Sequence, residues 1–241
     1  MLALEWVAAY RFVDIAEPDV LREQLFANAN AAALKGTILL AHEGINLMLA
    51  GETCALQTWL DALQTDTRFA ALELKRHAAA SVPFGHLRVK VKPEIIRMNQ
   101  PKLRPAAARA PALSAATLAR WLAQGHDDEG RELALLDTRN AFEVDAGAFA
   151  GAIDWRLQRF SDFPAALAEH GEVLTGKTVV SYCTGGIRCE KAALWMQQAG
   201  IEHVHQLDGG ILKYFDAQVG ASAWQGRCVV FDERESVAPQ A

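Results

Sequence analysis

The stretch Lys177 to Ala192, KTVVSYCTGGIRCEKA, decides how the second half of this chain folds. A β-branched apolar run ends at Tyr182, Cys183 follows, and two glycines precede a series of strong helix formers that starts near Arg188. This order predicts a strand, a loop that begins with a cysteine, and a helix.

The predicted loop is suited to holding an anion. Its glycines let the backbone curl so that successive N–H groups point at one spot, and the helix aims its positive end at the same spot. A thiol placed there should have a lowered pKa and react as a thiolate, which makes Cys183 the candidate catalytic residue. The loop residues that would form the cradle are Thr184, Gly185, Gly186, Ile187 and Arg188. The alternative is a buried cysteine that packs as a small hydrophobe beside an ordinary turn.

Around this loop, strand and helix patterns alternate. Strands are predicted at 132–136, near Trp155, at 177–182 and at 203–206; helices at 114–122, 163–170, 188–199 and from Ile211. Such alternation predicts a doubly wound parallel α/β domain, with the cysteine loop at the carboxyl end of a strand, where such sheets place their sites.

The first half has a different pattern. Strands are predicted at 6–15, in the hairpin TILLA–AHEGIN–LMLAG, at 71–75 and at 87–96; helices at 18–34 and 52–63. The order βαββαβ predicts a ferredoxin-like α+β domain. His42, Glu43 and Asn46 lie in the hairpin turn, where a functional contact and simple turn chemistry are equally good explanations.

A stretch rich in proline and alanine separates the two halves. Residues 97–112, RMNQPKLRPAAARAPA, contain three prolines among alanines and basic residues, which is typical of a semi-extended linker. The predicted organisation is a basic domain at 1–98, a linker at 99–112, a doubly wound domain at 113–222 and a C-terminal tail at 223–241.

Positive charge is concentrated in one segment. The chain has a net charge of −5, but residues 75–109 contain nine basic side chains and one acid, Glu94. In the strand LRVKV the basic residues alternate with apolar ones, so Arg88, Lys90 and Lys92 share one face. This pattern favours a polyanion such as nucleic acid over a merely solvated basic linker. The predicted contacts are Arg88, Lys90, Lys92, Arg97, Lys102 and Arg104.

Composition, hydropathy and cysteine spacing exclude several classes of protein and of binding site. Hydrophobic residues make up 51% and charged residues 22%, as in ordinary soluble proteins, and no apolar run approaches the ~20 residues that span a bilayer. The N-terminal residues lack the basic region of a signal peptide, so we expect a cytoplasmic protein without membrane contact. The four cysteines at 54, 183, 189 and 228 lack the spacing of a metal site, so no metal is predicted.

The remaining candidate residues are predicted to have mainly supporting or structural roles. Asp137 and Arg139 are predicted to support the loop through an internal ion pair. Cys189 either resolves an oxidised Cys183 or packs under the loop; helix geometry favours packing, with the side chain directed away from the loop centre. Cys54, Cys228, His203 and His205 are predicted to be structural.

Several motifs carry a family resemblance. Asp137-Thr138-Arg139 with Phe142-Glu143, GAFAGAI at 147–153, Cys183 to Arg188 and LDGG at 207–210 resemble a rhodanese domain. The Cys-x4-Arg loop is one residue shorter than that of the cysteine-dependent phosphatases, which favours a persulfide over a phosphoryl group. Together with AHEGINLMLAG, LRVKVKPEII and WQGRCVVFDER, these motifs resemble the rhodanese-containing family of oxygen-dependent tRNA uridine(34) hydroxylases, the TrhO family.

This resemblance implies formation of 5-hydroxyuridine at the wobble position of tRNA, with molecular oxygen as co-substrate and the anticodon stem-loop as partner. The family's active cysteine, described as a persulfide intermediate, corresponds to Cys183. No iron-binding triad and no flavin or nicotinamide fingerprint is recognisable, so no other cofactor is predicted. The alternatives are a thiosulfate or persulfide sulfurtransferase with a sulfur donor or acceptor protein, and a non-catalytic RNA-binding module.

Overall fold

The computed structural model describes residues 3–218, 223–230 and 235–238. The chain divides into two compact units, Met1–Arg97 and Met98–Ala241. The elements of the first unit are β1 (Leu4–Phe12), α1 (Pro18–Ala31), β2 (Lys35–Ala41), β3 (Gly44–Glu52), α2 (Thr53–Gln64), β4 (Lys75–Ala79) and β5 (Leu87–Val91). No helix among the described residues has both the length and the apolar character needed to cross a membrane.

The elements of the second unit are β6 (Ala112–Leu113), α3 (Ala115–Gln124), β7 (Leu133–Asp137), α4 (Ala141–Ala146), β8 (Gly147–Phe149), β9 (Ile153–Asp154), α5 (Phe163–His170), β10 (Thr178–Tyr182), α6 (Ile187–Gln198), β11 (Val204–Leu207), α7 (Gly210–Asp216), β12 (Trp224–Gly226), β13 (Cys228–Val229) and β14 (Ser236–Val237). Short 3₁₀ helices at Phe160–Asp162 and Gly171–Leu174 flank α5.

The first unit is the expected ferredoxin-like domain with one additional strand. Its sheet has the order β4-β1-β3-β2-β5, in which β5 is parallel to β2 and the other pairs are antiparallel. Residues of α1 and α2 pack with Val7, Ile38, Leu47 and Val89 in one core, so both helices cover the same face of the sheet.

Two strand predictions in this unit are wrong in their bounds. The fourth strand is Lys75–Ala79 rather than 71–75, because Leu72 is buried from a turn in which its N–H donates to the Phe69 carbonyl at 2.9 Å. The last strand ends at Val91 rather than Ile96, since Pro93 has no N–H to continue the ladder.

The polar residues in the hairpin between β2 and β3 make structural contacts. His42 Nδ1 lies 2.9 Å from the Ile15 carbonyl, and a Glu43 carboxylate oxygen accepts the Ile95 N–H at 2.8 Å. Gly44 has φ +148°, and a Cβ there would lie 2.1 Å from the Arg11 carbonyl oxygen. These contacts explain the turn without a ligand.

The second unit contains the predicted parallel sheet, with the order β6-β11-β10-β7-β9 and β10 at its centre. Ser114 caps α3, since its Oγ accepts the Thr117 N–H at 3.1 Å. Two small antiparallel pairs, β12 with β8 and β13 with β14, lie outside this sheet.

The segment expected to be a linker differs from a solvated chain. Residues 98–112 belong to the second unit, and Met98, Leu103 and Ala110 are buried. The Pro111 carbonyl accepts the Gln206 N–H at 3.0 Å, just before β6 joins β11. The end of this stretch is therefore part of the second unit's sheet rather than a free spacer.

The segment 223–241, expected to be a tail, also contributes structure. β12 pairs with β8 and buries Trp224 in the core of the second unit. Phe231 to Arg234, the last four residues of the WQGRCVVFDER motif, lie outside the described residues.

Candidate active site

Cys183 lies directly after the central strand β10, where the parallel sheet places its carboxyl ends. Tyr182 pairs with Asp137 at the end of neighbouring β7, and the N–H of Thr138 donates to the Tyr182 carbonyl at 3.0 Å. The loop then turns through Gly186, which has φ +95°, and α6 begins at Ile187. The sequence prediction of strand, loop and helix is confirmed.

The loop holds the cysteine sulfur with backbone donors. The Gly186 N–H donates to Cys183 Sγ at 3.1 Å, and the Arg188 N–H also faces this sulfur. Gly186 adopts the left-handed conformation that favours glycine, which lets its N–H turn inward.

Cys183 has no exposed surface. Burial alone would raise the pKa of its thiol, but a hydrogen bond from Cys189, the charge of Arg188 and the backbone N–H groups of Arg188 and Gly186 together hold this pKa well below its ordinary value. These interactions therefore favour the thiolate form of the sulfur.

Arg188 is neither a surface cation nor a free charge directed at the loop centre. Its guanidinium binds the carboxylate of Glu143 on α4 with two bonds, Nη1 to Oε2 at 2.6 Å and Nη2 to Oε1 at 2.7 Å. The Thr184 hydroxyl joins the pair by donating to Glu143 Oε1 at 3.3 Å. The bidentate pair fixes both ends of the loop to α4.

The ion pair predicted between Asp137 and Arg139 is present and fully buried. Arg139 Nη2 lies 2.6 Å from Asp137 Oδ2 and also donates to the Gly147 carbonyl at 2.7 Å, while Nη1 donates to the Glu143 carbonyl at 3.2 Å. These bonds connect the end of β7 to both ends of α4. Arg139 therefore fixes the backbone that presents Glu143 to the loop.

The loop is also held from the side of α7. The N–H groups of Ile211 and Leu212 donate to the carbonyls of Cys183 at 2.9 Å and Thr184 at 3.1 Å. A Cβ on Gly210, whose φ is +71°, would lie 2.4 Å from the Cys183 carbonyl oxygen. This close approach explains the second glycine of the LDGG motif.

The other cysteines differ in position. Cys189 is fully buried, as packing under the loop predicts, and its Sγ lies 3.7 Å from Thr138 Oγ1. Cys228 is buried and interacts with Thr184 of the loop; burial raises the pKa of its thiol to about 11. Cys54, interpreted as a structural residue inside a helix, is exposed in the first turn of α2.

The predicted RNA contacts are divided between the units. Arg88, Lys90 and Lys92 are exposed at one edge of the first sheet, and the intervening Val89 is buried, as the alternation predicts. Arg97 ends the first unit, whereas Lys102 and Arg104 belong to the second.

Two other members of the basic segment are neutralised by acids. Arg76 pairs with Glu5 at 2.6 Å and Arg109 pairs with Glu190 at 2.9 Å. The basic segment therefore offers less positive charge to an anionic ligand than its count of basic residues indicates.

Sequence reasoning gave no role to Glu143, Thr138 or Gly210. Glu143 is completely buried, and its partner Arg188 lies 45 positions away in the sequence. An acid in the first turn of a short helix ordinarily caps that helix, and Glu143 does accept the Asn140 N–H at 3.1 Å. In the sequence, Glu143 was marked only by its place in the motif DTRNAFE.

Within the described ranges, no three or more His, Cys, Asp and Glu side chains are arranged to hold a metal ion.

Two known families match this chain, one in each of its two units. Residues 4–95 match the UPF0176 acylphosphatase like domain, and residues 115–217 match the rhodanese-like domain. Both expected domain types are thus matched. The ferredoxin-like first unit is matched by a family described as acylphosphatase-like.

Full-length relatives are close. A protein of Bordetella avium named tRNA uridine(34) hydroxylase is 58% identical over 97% of this chain and 96% of its own. Proteins with the same name from Bordetella pertussis and Variovorax paradoxus are also 58% identical, covering 100% and 97% of this chain and 100% and 88% of their own. Among solved structures, the rhodanese-like domain of Anabaena sp. Alr3790 is 20% identical over 48% of this chain and 79% of its own, with a TM-score of 0.38, too low to support an inference.

Proposed function

This chain belongs to the tRNA uridine(34) hydroxylase family, and on that basis we propose that it hydroxylates the wobble uridine of tRNA through the thiolate of Cys183. It is an enzyme of tRNA modification, an oxidoreductase with a rhodanese domain. The proposed product is 5-hydroxyuridine at position 34, and molecular oxygen is the proposed co-substrate. The proposed compartment is the cytoplasm, where tRNA is used.

One observation supports the role of Cys183 above all others. Its sulfur receives the Gly186 N–H at 3.1 Å in a buried loop, and its pKa is held well below the ordinary thiol value despite the cost of burial. A thiolate in such a cradle is an activated nucleophile, and the same N–H groups suit the terminal sulfur of a persulfide. We propose that Cys183 reacts from this state.

Other residues of the loop act by position. The N–H groups of Gly186 and Arg188 face the sulfur, and Thr184, Gly185 and Ile187 are proposed to complete the cradle, while Arg188 contributes its positive charge from within the pair with Glu143. Asp137 and Arg139 support that pair from behind. Cys183 is the residue that would contact the reacting atoms.

The proposed substrate surface includes the edge strand β5. Arg88, Lys90 and Lys92 present three exposed cations in a row, a pattern that fits a phosphate backbone such as that of the anticodon stem-loop. Arg97, Lys102 and Arg104 are further proposed contacts.

A second candidate function is sulfur transfer. The Cys-x4-Arg loop would also hold a persulfide for delivery to a protein acceptor, or receive sulfur from a donor protein. A sulfur carrier does not require the basic strand β5, so removing its charges should leave thiosulfate chemistry intact while impairing tRNA modification.

Nucleoside mass spectrometry tests the role of Cys183 in cells. In a bacterial strain with every other route to 5-hydroxyuridine removed, the wild-type chain should restore the modified wobble nucleosides and Cys183→Ser should restore none. Cys54→Ser is the matched control, since Cys54 is exposed on the first unit and should be dispensable. Full restoration by Cys183→Ser would refute the proposed role.

A further inference from the structure

An open cavity lies between helix α1 and the edge strand β5 of the first unit. It has a volume of about 330 Å³ and is lined by Arg22, Glu23 and Phe26 of α1 and by residues 87–90 of β5. Sites for small ligands have volumes of about 300–1,000 Å³, so this cavity can hold one group of modest size.

One wall of the cavity carries an exposed aromatic ring. Helix α1 buries Leu21, Leu25 and Ala29 in the core of the unit. Phe26 is 42% exposed and lies one turn after Arg22 on the same side of the helix. A single apolar side chain at the surface is ordinary. Phe26 differs because it lines a cavity, where a planar ligand can pack on its ring.

The other wall offers hydrogen-bonding groups of the backbone. Strand β5 is the last strand of its sheet, and its bonds to β2 begin at the His86 carbonyl, which accepts the Gly36 N–H at 3.1 Å. Bonds to a parallel neighbour recur at every second residue, so the N–H and C=O groups of Leu87 and Val89 are directed at the open edge. They can bond the polar edge of a planar ligand.

The charge of the cavity favours an anion. Its lining contains three cations and one acid, and that acid, Glu23, is paired with Arg22. Within the described part of the chain, Lys90 has no ion pair, and Arg88 contacts His86 rather than an acid. Positive charge that is not compensated by nearby acids attracts a negatively charged ligand.

An unpaired RNA nucleotide combines the features that this cavity can recognise. Its base has a flat face that stacks on aromatic side chains and a polar edge that hydrogen-bonds, and its phosphates are negative. A base within a duplex is already stacked and paired, so its face is not available. An extended polypeptide that pairs with β5 would use the same open edge but would not require the positive charge.

We propose that the cavity between α1 and β5 binds an unpaired nucleotide of the tRNA. The base stacks on Phe26, its polar edge bonds the backbone of β5, and Arg88 and Lys90 hold the adjoining phosphates. This inference rests on the proposed function, because it takes RNA to be the substrate of the chain. Phe26 acts here in binding and not in the chemical step.

The test compares Phe26→Ala, which removes the ring, with Phe26→Trp, which keeps an aromatic face. Two fluorescently labelled RNAs are titrated against each purified full-length variant, a hairpin with unpaired uridines in its loop and a fully paired duplex of the same stem. Val20→Ala is the matched control, since Val20 is also an exposed apolar residue of α1 but does not line the cavity.

Phe26→Ala should weaken binding of the hairpin by about 5- to 150-fold, the usual effect of losing one stacked base. Its affinity for the duplex should be unchanged, which also shows that the variant is folded. The salt dependence of hairpin binding should stay the same, because no charge is removed. Phe26→Trp and Val20→Ala should both bind the hairpin as the wild type does.

Three results would overturn the proposal: a wild-type affinity of Phe26→Ala for the hairpin, an equal loss on hairpin and duplex, or no binding of the hairpin by the wild type. The first of these would leave the open edge of β5 to a polypeptide. The titration measures binding without turnover, so its failure is distinct from a failure of the hydroxylation assigned to Cys183.

Discussion

At the scale of single residues, the site must stabilise a negatively charged sulfur in a buried position, and burial disfavours that charge. Cys183 is fully buried, and burial disfavours a thiolate. The opposing interactions come from N–H groups of its own loop, from Cys189 and from Arg188, whose charge is itself compensated by Glu143. The ionised sulfur therefore depends on a connected set of buried partners.

Glu143 is the partner whose loss should be most costly. Glu143→Gln removes one charge of a fully buried bidentate pair and leaves Arg188 uncompensated, so the free energy of unfolding should fall by about 3–5 kcal/mol. Urea denaturation followed by circular dichroism measures the change. The matched control is Asp145→Asn on the same helix, since Asp145 pairs with Arg156 at the exposed surface and its loss should change stability far less.

The same pair predicts a pH dependence. Burial raises the pKa of Glu143, but hydrogen bonding and charge from Arg188 outweigh it, so the folded-state pKa lies below the ordinary value. Its stabilisation is complete above the unfolded-state pKa of about 4.3 and is lost as pH falls through the lower folded-state pKa. Wild type and Glu143→Gln should therefore converge in stability in acid; equal losses in Glu143→Gln and Asp145→Asn at neutral pH would contradict this assignment.

Residues within the loop were predictable from the sequence, and their distant partners were not. Cys183 and Gly186 are recognisable by local order, since a cysteine and glycines between a strand and a helix have few other uses. Glu143 meets Arg188 only through the pairing of β7 with β10, which no local pattern encodes. The packing predicted for Cys189 agrees with its full burial, 3.7 Å from Thr138 Oγ1, although the sequence could not identify Thr138 as its neighbour.

At the scale of elements, the edge strand β5 carries the substrate hypothesis. Its alternation was predicted correctly because a period of two depends only on neighbouring residues. Its pairing, parallel to β2, was not predictable, because the choice of a strand's neighbour depends on residues far apart in the sequence.

Lys90→Glu with Lys92→Glu should weaken tRNA binding and flatten its salt dependence. Removing one cation from a phosphate lowers the slope of log affinity against log salt by somewhat less than one, so the two changes together should reduce it by about 1.5. Filter binding across a salt series measures this slope. Lys90→Arg with Lys92→Arg keeps both charges and should retain affinity and slope; a double glutamate variant with wild-type affinity would move the binding surface away from β5.

At the scale of the whole molecule, one chain combines two units that present different chemical features. The first carries the exposed cations of β5, and the second carries the thiolate loop at the centre of a parallel sheet. The fold class of each unit followed from hydrophobic periodicity and element order, and the matched families agree with it. The hydroxylation itself follows from the relatives and not from any residue pattern, because a thiolate cradle is compatible with several reactions.

The most direct test of the account follows the oxygen atom. Cells that carry this chain as their sole source of 5-hydroxyuridine are grown under oxygen-18 gas, and the wobble nucleosides of their tRNA are analysed by mass spectrometry. With the wild-type chain, the mass of the hydroxylated nucleoside at position 34 should increase by the difference between oxygen-18 and oxygen-16. With Cys183→Ser, the labelled nucleoside should be missing. An unlabelled hydroxyl in the wild type, or a labelled one in Cys183→Ser, would contradict the claim that Cys183 carries an oxygen-dependent hydroxylation.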